Sequence, residues 1–159
     1  MPKALVIYSS RSGHTMKMAE AIAKGIEGAR VSVTLTDVNM ARVDDLASAD
    51  AIVLGSPCYY GSMSAEMKRF LDDSVRFHGQ LSGKVGGAFA SSGMLGGGNE
   101  TTVRSLIDAL MIHGMVVKGN AGIGHFGPVS IGEPDEKALE ECTAYGAEIA
   151  ELTKRLFRS

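Results

Sequence analysis

One pattern limits this fold more than any other: a short apolar strand, a glycine-containing turn and an amphipathic helix, repeated along the chain. Lys3-Ala-Leu-Val-Ile-Tyr8 is an apolar run with β-branched residues that ends at Ser9-Ser-Arg-Ser-Gly13, the pattern of a parallel strand buried on both faces. Behind it Met16, Ala19, Ile22, Ala23 and Ile26 recur at helical spacing until Gly28 offers a stop. The pairing returns four more times. Strand 30–36 precedes a short helix at 44–48, strand 51–55 a helix at 64–73, and strand 84–90 a helix at 99–113; strand 115–118 leads through a long loop to a helix at 135–157. Parallel strands need crossovers, and helical crossovers cover the faces of the sheet. The expectation is an α/β three-layer sandwich, a five-stranded parallel sheet with helices on both faces, formed as one domain over residues 1–159.

Composition removes several function classes. A formal charge of -2 with scattered Lys and Arg gives no basic stripe, so neither nucleic acid nor a membrane is expected as a partner. Cys58 and Cys142 lie far apart, and no histidine pair has ligand spacing on one helix face, so no metal is expected; His78 and His113 read as surface or helix-end residues. Two isolated cysteines fit a reducing compartment. With no signal-peptide pattern and no apolar run of spanning length, the expected location is the cytoplasm. The 20 glycines cluster at 86–87, 93–98 and 119–132, which points to loops where backbone approaches something closely.

Sheets of this kind bind ligands beyond the carboxyl ends of their strands, so the loops after strands one, three, four and five should hold the site. In the first, Ser10, Ser12 and Thr15 offer hydroxyls, Gly13 lets the backbone turn, and Arg11 and His14 offer charge. The helix amides behind them carry about half a positive charge. The loop suits a phosphate, against the plainer alternative that its hydroxyls cap a helix. It is not a triphosphate loop, because GxxxxGK[ST] is absent. A GxGxxG match at Gly122-Ile-Gly-His-Phe-Gly127 follows the last strand without opening a helix, and reads as coincidence. In the second loop, Ser56 to Ser64, Tyr59 and Tyr60 stand between Pro57 and Gly61. They form either a wall for a planar aromatic ligand or ordinary half-buried loop aromatics. Gly61 is free to reorient its peptide towards a ring nitrogen, and Cys58 reads as a packed residue, not a reactive thiol. The third loop carries Gly96-Gly-Gly98 ahead of Asn99, which favours ligand contact over a merely flexible connection. His125, in the last loop, is placed to cover a ligand and equally to be structural.

Three motifs occur in order, each after its strand: Ser10-Arg-Ser-Gly-His14; Ser56-Pro-Cys-Tyr-Tyr-Gly-Ser-Met63 with Met67-Lys-Arg-Phe-Leu-Asp72 behind it; and Gly96-Gly-Gly-Asn-Glu100. Together they resemble the flavodoxin superfamily, and within it the WrbA-like NAD(P)H:quinone oxidoreductases. The resemblance implies strand order 2-1-3-4-5 and FMN as cofactor. It places the phosphate among Ser10, Arg11, Ser12, Gly13, His14 and Thr15, and the ring between the second and third loops. Ring and ribityl contacts would come from Ser56, Pro57, Cys58, Tyr59, Tyr60, Gly61, Ser91, Ser92, Gly93, Gly96, Gly97, Gly98 and Asn99, with His125 as a further contact and the one candidate catalytic side chain. In that branch the flavin takes hydride from NAD(P)H and passes two electrons to a quinone, so no side chain need act as acid or nucleophile. The resemblance also implies a homodimer or homotetramer. This chain departs from the branch in lacking its extra tetramer-building segments, in a third loop one residue longer, and in its last loop, Gly119 to Glu133.

Two functions stay open on these grounds: an FMN-dependent NAD(P)H:quinone oxidoreductase, and a flavodoxin-type carrier of electrons between redox partner proteins that never binds nicotinamide. Carriers use an acidic face to meet basic partners. A charge of -2 supplies little of one, which tilts the reading towards the enzyme. A flavin-binding regulatory module is the third possibility.

Overall fold

The computed structural model describes residues 1–158. Six strands, β1 (Lys3–Tyr8), β2 (Ser32–Asp37), β3 (Ala51–Pro57), β4 (Val85–Ser92), β5 (Val116–Val117) and β6 (Val129–Ile131), form one sheet. Its order is β2-β1-β3-β4-β5, as expected, with β6 also paired to β4 and every pairing parallel. The helices are α1 (His14–Gly28), α2 (Asp45–Ser48), α3 (Ala65–Asp73), α4 (Asn99–Ile112) and α5 (Glu136–Leu156), with a 3-10 turn at Ser74–Phe77 after α3.

Strand alternation divides the core in two. Ala4 and Val6 of β1 face a layer built from Met18, Ile22 and Ile26 of α1 and from Tyr145 and Ile149 of α5. Leu5 and Ile7 face the opposite layer, with Leu46 of α2, Met67 and Phe70 of α3, and Leu106 and Leu110 of α4. Every residue of β4 is buried, as befits a strand covered on both faces. Helices α1 and α5 cross with their backbones in contact. A Cβ added to Gly25 would lie 1.9 Å from the Thr143 carbonyl oxygen, and one added to Gly146 would lie 2.1 Å from that of Ile22, so only glycine permits this approach.

The sixth strand was not expected: it lies inside the segment read above as loop from Gly119 to Glu133. The fifth position of the sheet is split. β5 pairs with Val85 and Gly86 at the start of β4, and β6 pairs with Ala90 to Ser92 at its end. Between them the chain leaves the sheet at 118–127, until the Pro128 carbonyl accepts the Ala90 amide, and this excursion would strand the amide of Ala88 in mid-sheet. The Tyr145 hydroxyl of α5 accepts that N–H at 3.1 Å. Burial pushes the Tyr145 phenol up to about 12, so it stays neutral. Tyr145→Phe keeps the ring and leaves the Ala88 N–H unpaired in a dry core; the expected loss is about 1–3 kcal/mol of stability. A lowered urea midpoint with unchanged slope would report it.

Candidate functional site

The loops after β1, β3 and β4 meet at the carboxyl rim of the sheet, tied to one another in pairs. Ser64 Oγ donates to Ser9 Oγ at 2.8 Å, joining the second loop to the first. Thr15 Oγ1 and Ser91 Oγ share a hydrogen bond of 2.8 Å, joining the first to the third. Cys58 Sγ donates to the Gly97 carbonyl at 3.0 Å, and Cys58 N donates to Ser91 O at 2.7 Å, joining the second to the third. All four hydroxyl residues are buried, where such bonds are shielded from water. Ser64 also caps α3 by accepting the Met67 amide, and its own amide donates to the buried Ser56 hydroxyl. Cys58 is half-buried.

In the first loop Gly13 has φ 90° and is the N-cap of α1, where it brings no side chain of its own to the helix start. Ser10 Oγ accepts the Gly13 amide at 3.1 Å and the Met16 amide at 3.4 Å. The amides of Ser12, His14 and Thr15 donate to no protein acceptor among the described residues. Unpaired amides at a helix start, ringed by hydroxyls, suit an oxyanion. The Arg11 side chain points elsewhere. Its guanidinium lies 4.5 Å from the centre of the Tyr59 ring and pairs with Glu66 Oε1 at 3.4 Å.

The second loop is tighter than its sequence indicates. Tyr59 and Ser62 exchange both backbone hydrogen bonds, at 3.0 and 3.3 Å, across Tyr60 (φ 52°) and Gly61 (φ 82°). Positive φ at both central residues is the type I′ pattern. Glycine is at home there and tyrosine is not, so the turn signal was weak in sequence; Tyr60 projects fully into solvent. In the third loop Asn99 Nδ2 donates to Ser92 Oγ, which donates to Met94 O. A Cβ on Gly98 would meet Cys58 Sγ at 2.8 Å and Gly61 Cα at 3.0 Å. The second and third loops therefore touch through Cys58, Gly61, Gly97 and Gly98.

His125 stands apart in the loop that splits the fifth strand, beside a cleft of about 140 Å³ that Glu100 and Phe126 also line. Its Nδ1 bonds the Asn120 carbonyl at 2.8 Å; a carbonyl only accepts, so Nδ1 carries the hydrogen and Nε2 is the remaining nitrogen. The GxGxxG match occupies this same loop and opens no helix. His113 does end α4, but it is buried, with Nε2 2.7 Å from Ser74 Oγ. It lines an apolar groove of about 520 Å³ between α3 and α4, which Met63 of the second loop also lines. Among the described residues no three His, Cys, Asp or Glu side chains are placed to hold a metal, and no helix is long and apolar enough to cross a membrane.

Comparison with known proteins gives consistent matches. Residues 2–127 match the family described as NADPH-dependent FMN reductase. A protein named flavodoxin from Aquifex aeolicus is 41% identical over 162 positions, covering 95% of this chain and 86% of the relative. One named NAD(P)H dehydrogenase (quinone) from Archaeoglobus fulgidus is 34% identical, covering 98% of this chain and all of the relative. That alignment runs to 191 positions against a chain of 159 residues, so the relative carries segments this chain lacks. Among solved structures, a flavodoxin, WrbA-like protein from Agrobacterium tumefaciens superposes with TM-score 0.86 at 30% identity over 99% of this chain and all of that one. A flavodoxin from the domain Archaea does so with TM-score 0.81 at 34% identity, covering 96% and 99%.

Two measurements test this architecture. Ser64→Ala removes the cap of α3 together with the Ser9 contact and should cost about 1–2 kcal/mol in urea unfolding. Burial, with the charge of His78 adding to it, holds the His113 imidazole below its ordinary value of 6.5. The unfolded chain then binds the proton more readily than the folded one. This contribution to stability is complete above about pH 6.5 and is lost as pH falls through the depressed folded value. In His113→Gln, which cannot titrate, the fall in stability between about pH 6.5 and 5 should flatten.

Proposed function

The chain belongs to the NADPH-dependent FMN reductase family, and on that footing we propose that it binds FMN and passes electrons from a nicotinamide dinucleotide through it to a small quinone-like acceptor. The donor set fits the cofactor. Ser12, His14 and Thr15 amides and the surrounding hydroxyls would hold the phosphate. Ser91, bonded to Thr15, and Ser92 would meet the ribityl chain, and Tyr59 together with Cys58, Gly61, Gly97 and Gly98 would seat the ring. The flavin, when bound, supplies the hydride and electron chemistry. The protein binds the phosphate, seats the ring and limits which faces of it are reached.

One observation carries the choice of enzyme over carrier. The third loop offers Met94, Leu95 and glycines where a second aromatic wall would stand, and Tyr59 and Tyr60 both come from the second loop. Hydride transfer needs donor and acceptor atoms about 3–3.5 Å apart with orbitals aligned, so a nicotinamide must lie flat on one ring face. On this reading the ring would carry its aromatic cover on the Tyr59 side alone, and the other face would receive the nicotinamide. The carrier reading has its own support, since the alignment with the Aquifex flavodoxin stays near this chain's own length while the quinone dehydrogenase carries additional segments. Exposed Val75, Met111 and Ile112 around the α3–α4 groove are the surface a homodimer or homotetramer would cover, and the free thiols Cys58 and Cys142 favour a reducing compartment such as the cytoplasm.

Anaerobic mixing of the FMN-loaded protein with NADH or NADPH should bleach the flavin absorbance, and a quinone should restore it. No bleaching by either nucleotide, with a stable one-electron stage in a dithionite titration, would establish the carrier instead.

A further inference from the structure

Arg11 sits in the loop assigned to the phosphate, yet every contact of its guanidinium is with something else. The group lies 4.5 Å from the centre of the Tyr59 ring and 3.4 Å from Glu66 Oε1. Glu66 belongs to the first turn of α3. Its carboxyl is held below the usual range by hydrogen bonding to its own backbone amide, with Arg11 lowering it further, so the partner of the guanidinium is anionic at neutral pH. The backbone of Tyr59 is committed as well, since its N–H and C=O both pair with Ser62. What remains free in Tyr59 is the orientation of its ring. A guanidinium over one face restrains that orientation and leaves the opposite face for another planar group. The phosphate does not require Arg11, because the amides of Ser12, His14 and Thr15 already supply donors.

We propose that Arg11 is a positioning residue that acts on the flavin through Tyr59: it fixes the aromatic wall and sets a positive charge one ring thickness behind it. The proposal rests on the flavin reading above. Reduction adds electron density to the bound ring, so a fixed cation nearby favours the reduced form. The Arg11 side chain is 66% exposed, and solvent and salt screen its charge, which keeps the effect moderate.

Riboflavin, which lacks the phosphate, separates this role from that of a phosphate ligand. Dissociation constants for FMN and for riboflavin, read from quenching of flavin fluorescence, are to be measured for the wild type, Arg11→Ala, Tyr59→Leu and the double variant. A urea midpoint for each variant controls for folding. Arg11→Ala should weaken both ligands by the same factor, about twofold to tenfold. It should add nothing once Tyr59 is leucine, and it should lower the midpoint potential of the bound flavin. The proposal is overturned if FMN weakens while riboflavin does not, if neither weakens, or if the loss persists undiminished in Tyr59→Leu. A wild type that binds neither flavin would instead overturn the functional reading itself.

Discussion

Two buried hydroxyl pairs, Ser64 with Ser9 and Thr15 with Ser91, hold the carboxyl rim of this sheet in one arrangement. Loops at strand ends are ordinarily the most mobile part of an α/β fold, and a site spread over three of them is only as well defined as their mutual placement. Here each tie runs between segments far apart in sequence and lies out of water, so its loss would leave polar groups unpaired. The Cys58 contact to Gly97 closes the remaining side. Binding groups are thereby fixed relative to one another before any ligand arrives, which lowers the ordering cost of binding.

That arrangement suits chemistry in which the protein contributes shape and field. The joined loops offer unpaired amides, buried hydroxyls, closely packed glycines and the Tyr59 ring, which are means of holding a reactive group in place. The two names carried by the relatives, flavodoxin and NAD(P)H dehydrogenase (quinone), both fit this picture, since one cradle can serve either role.

Much of the framework was legible because local and global preferences agree. The uninterrupted apolar runs of β1 and β3 and the helical spacing in α1 admit few alternatives, and the strand order follows from the motifs that mark their loops. What could not be read depends on long-range pairing or on direction. Val129-Ser-Ile131 is a strand only because β4 extends past β5 and has an open edge at Ala90 to Ser92; three residues beside Gly and Pro carry no periodicity of their own. The bond from Tyr145 to Ala88 is invisible in a helix where tyrosine passes for an ordinary core residue. Arg11 stood beside three hydroxyls in sequence, yet the partners of its side chain, Tyr59 and Glu66, are 48 and 55 residues away. His113, readable as a helix end, gave no sign that Ser74 would draw it inside.

The split fifth strand has a consequence for how such a chain can change. Because β5 and β6 are each held to β4 by their own register, the Pro128 carbonyl accepts the Ala90 amide, and Tyr145 secures the stretch between, the segment 118–126 makes no backbone hydrogen bond to β4. Residues can be gained or lost there without sliding any strand past its neighbour. It is a natural splice point, at which a longer or shorter excursion carrying different side chains could be fitted beside the loops of the rim while the scaffold beneath stays as it is.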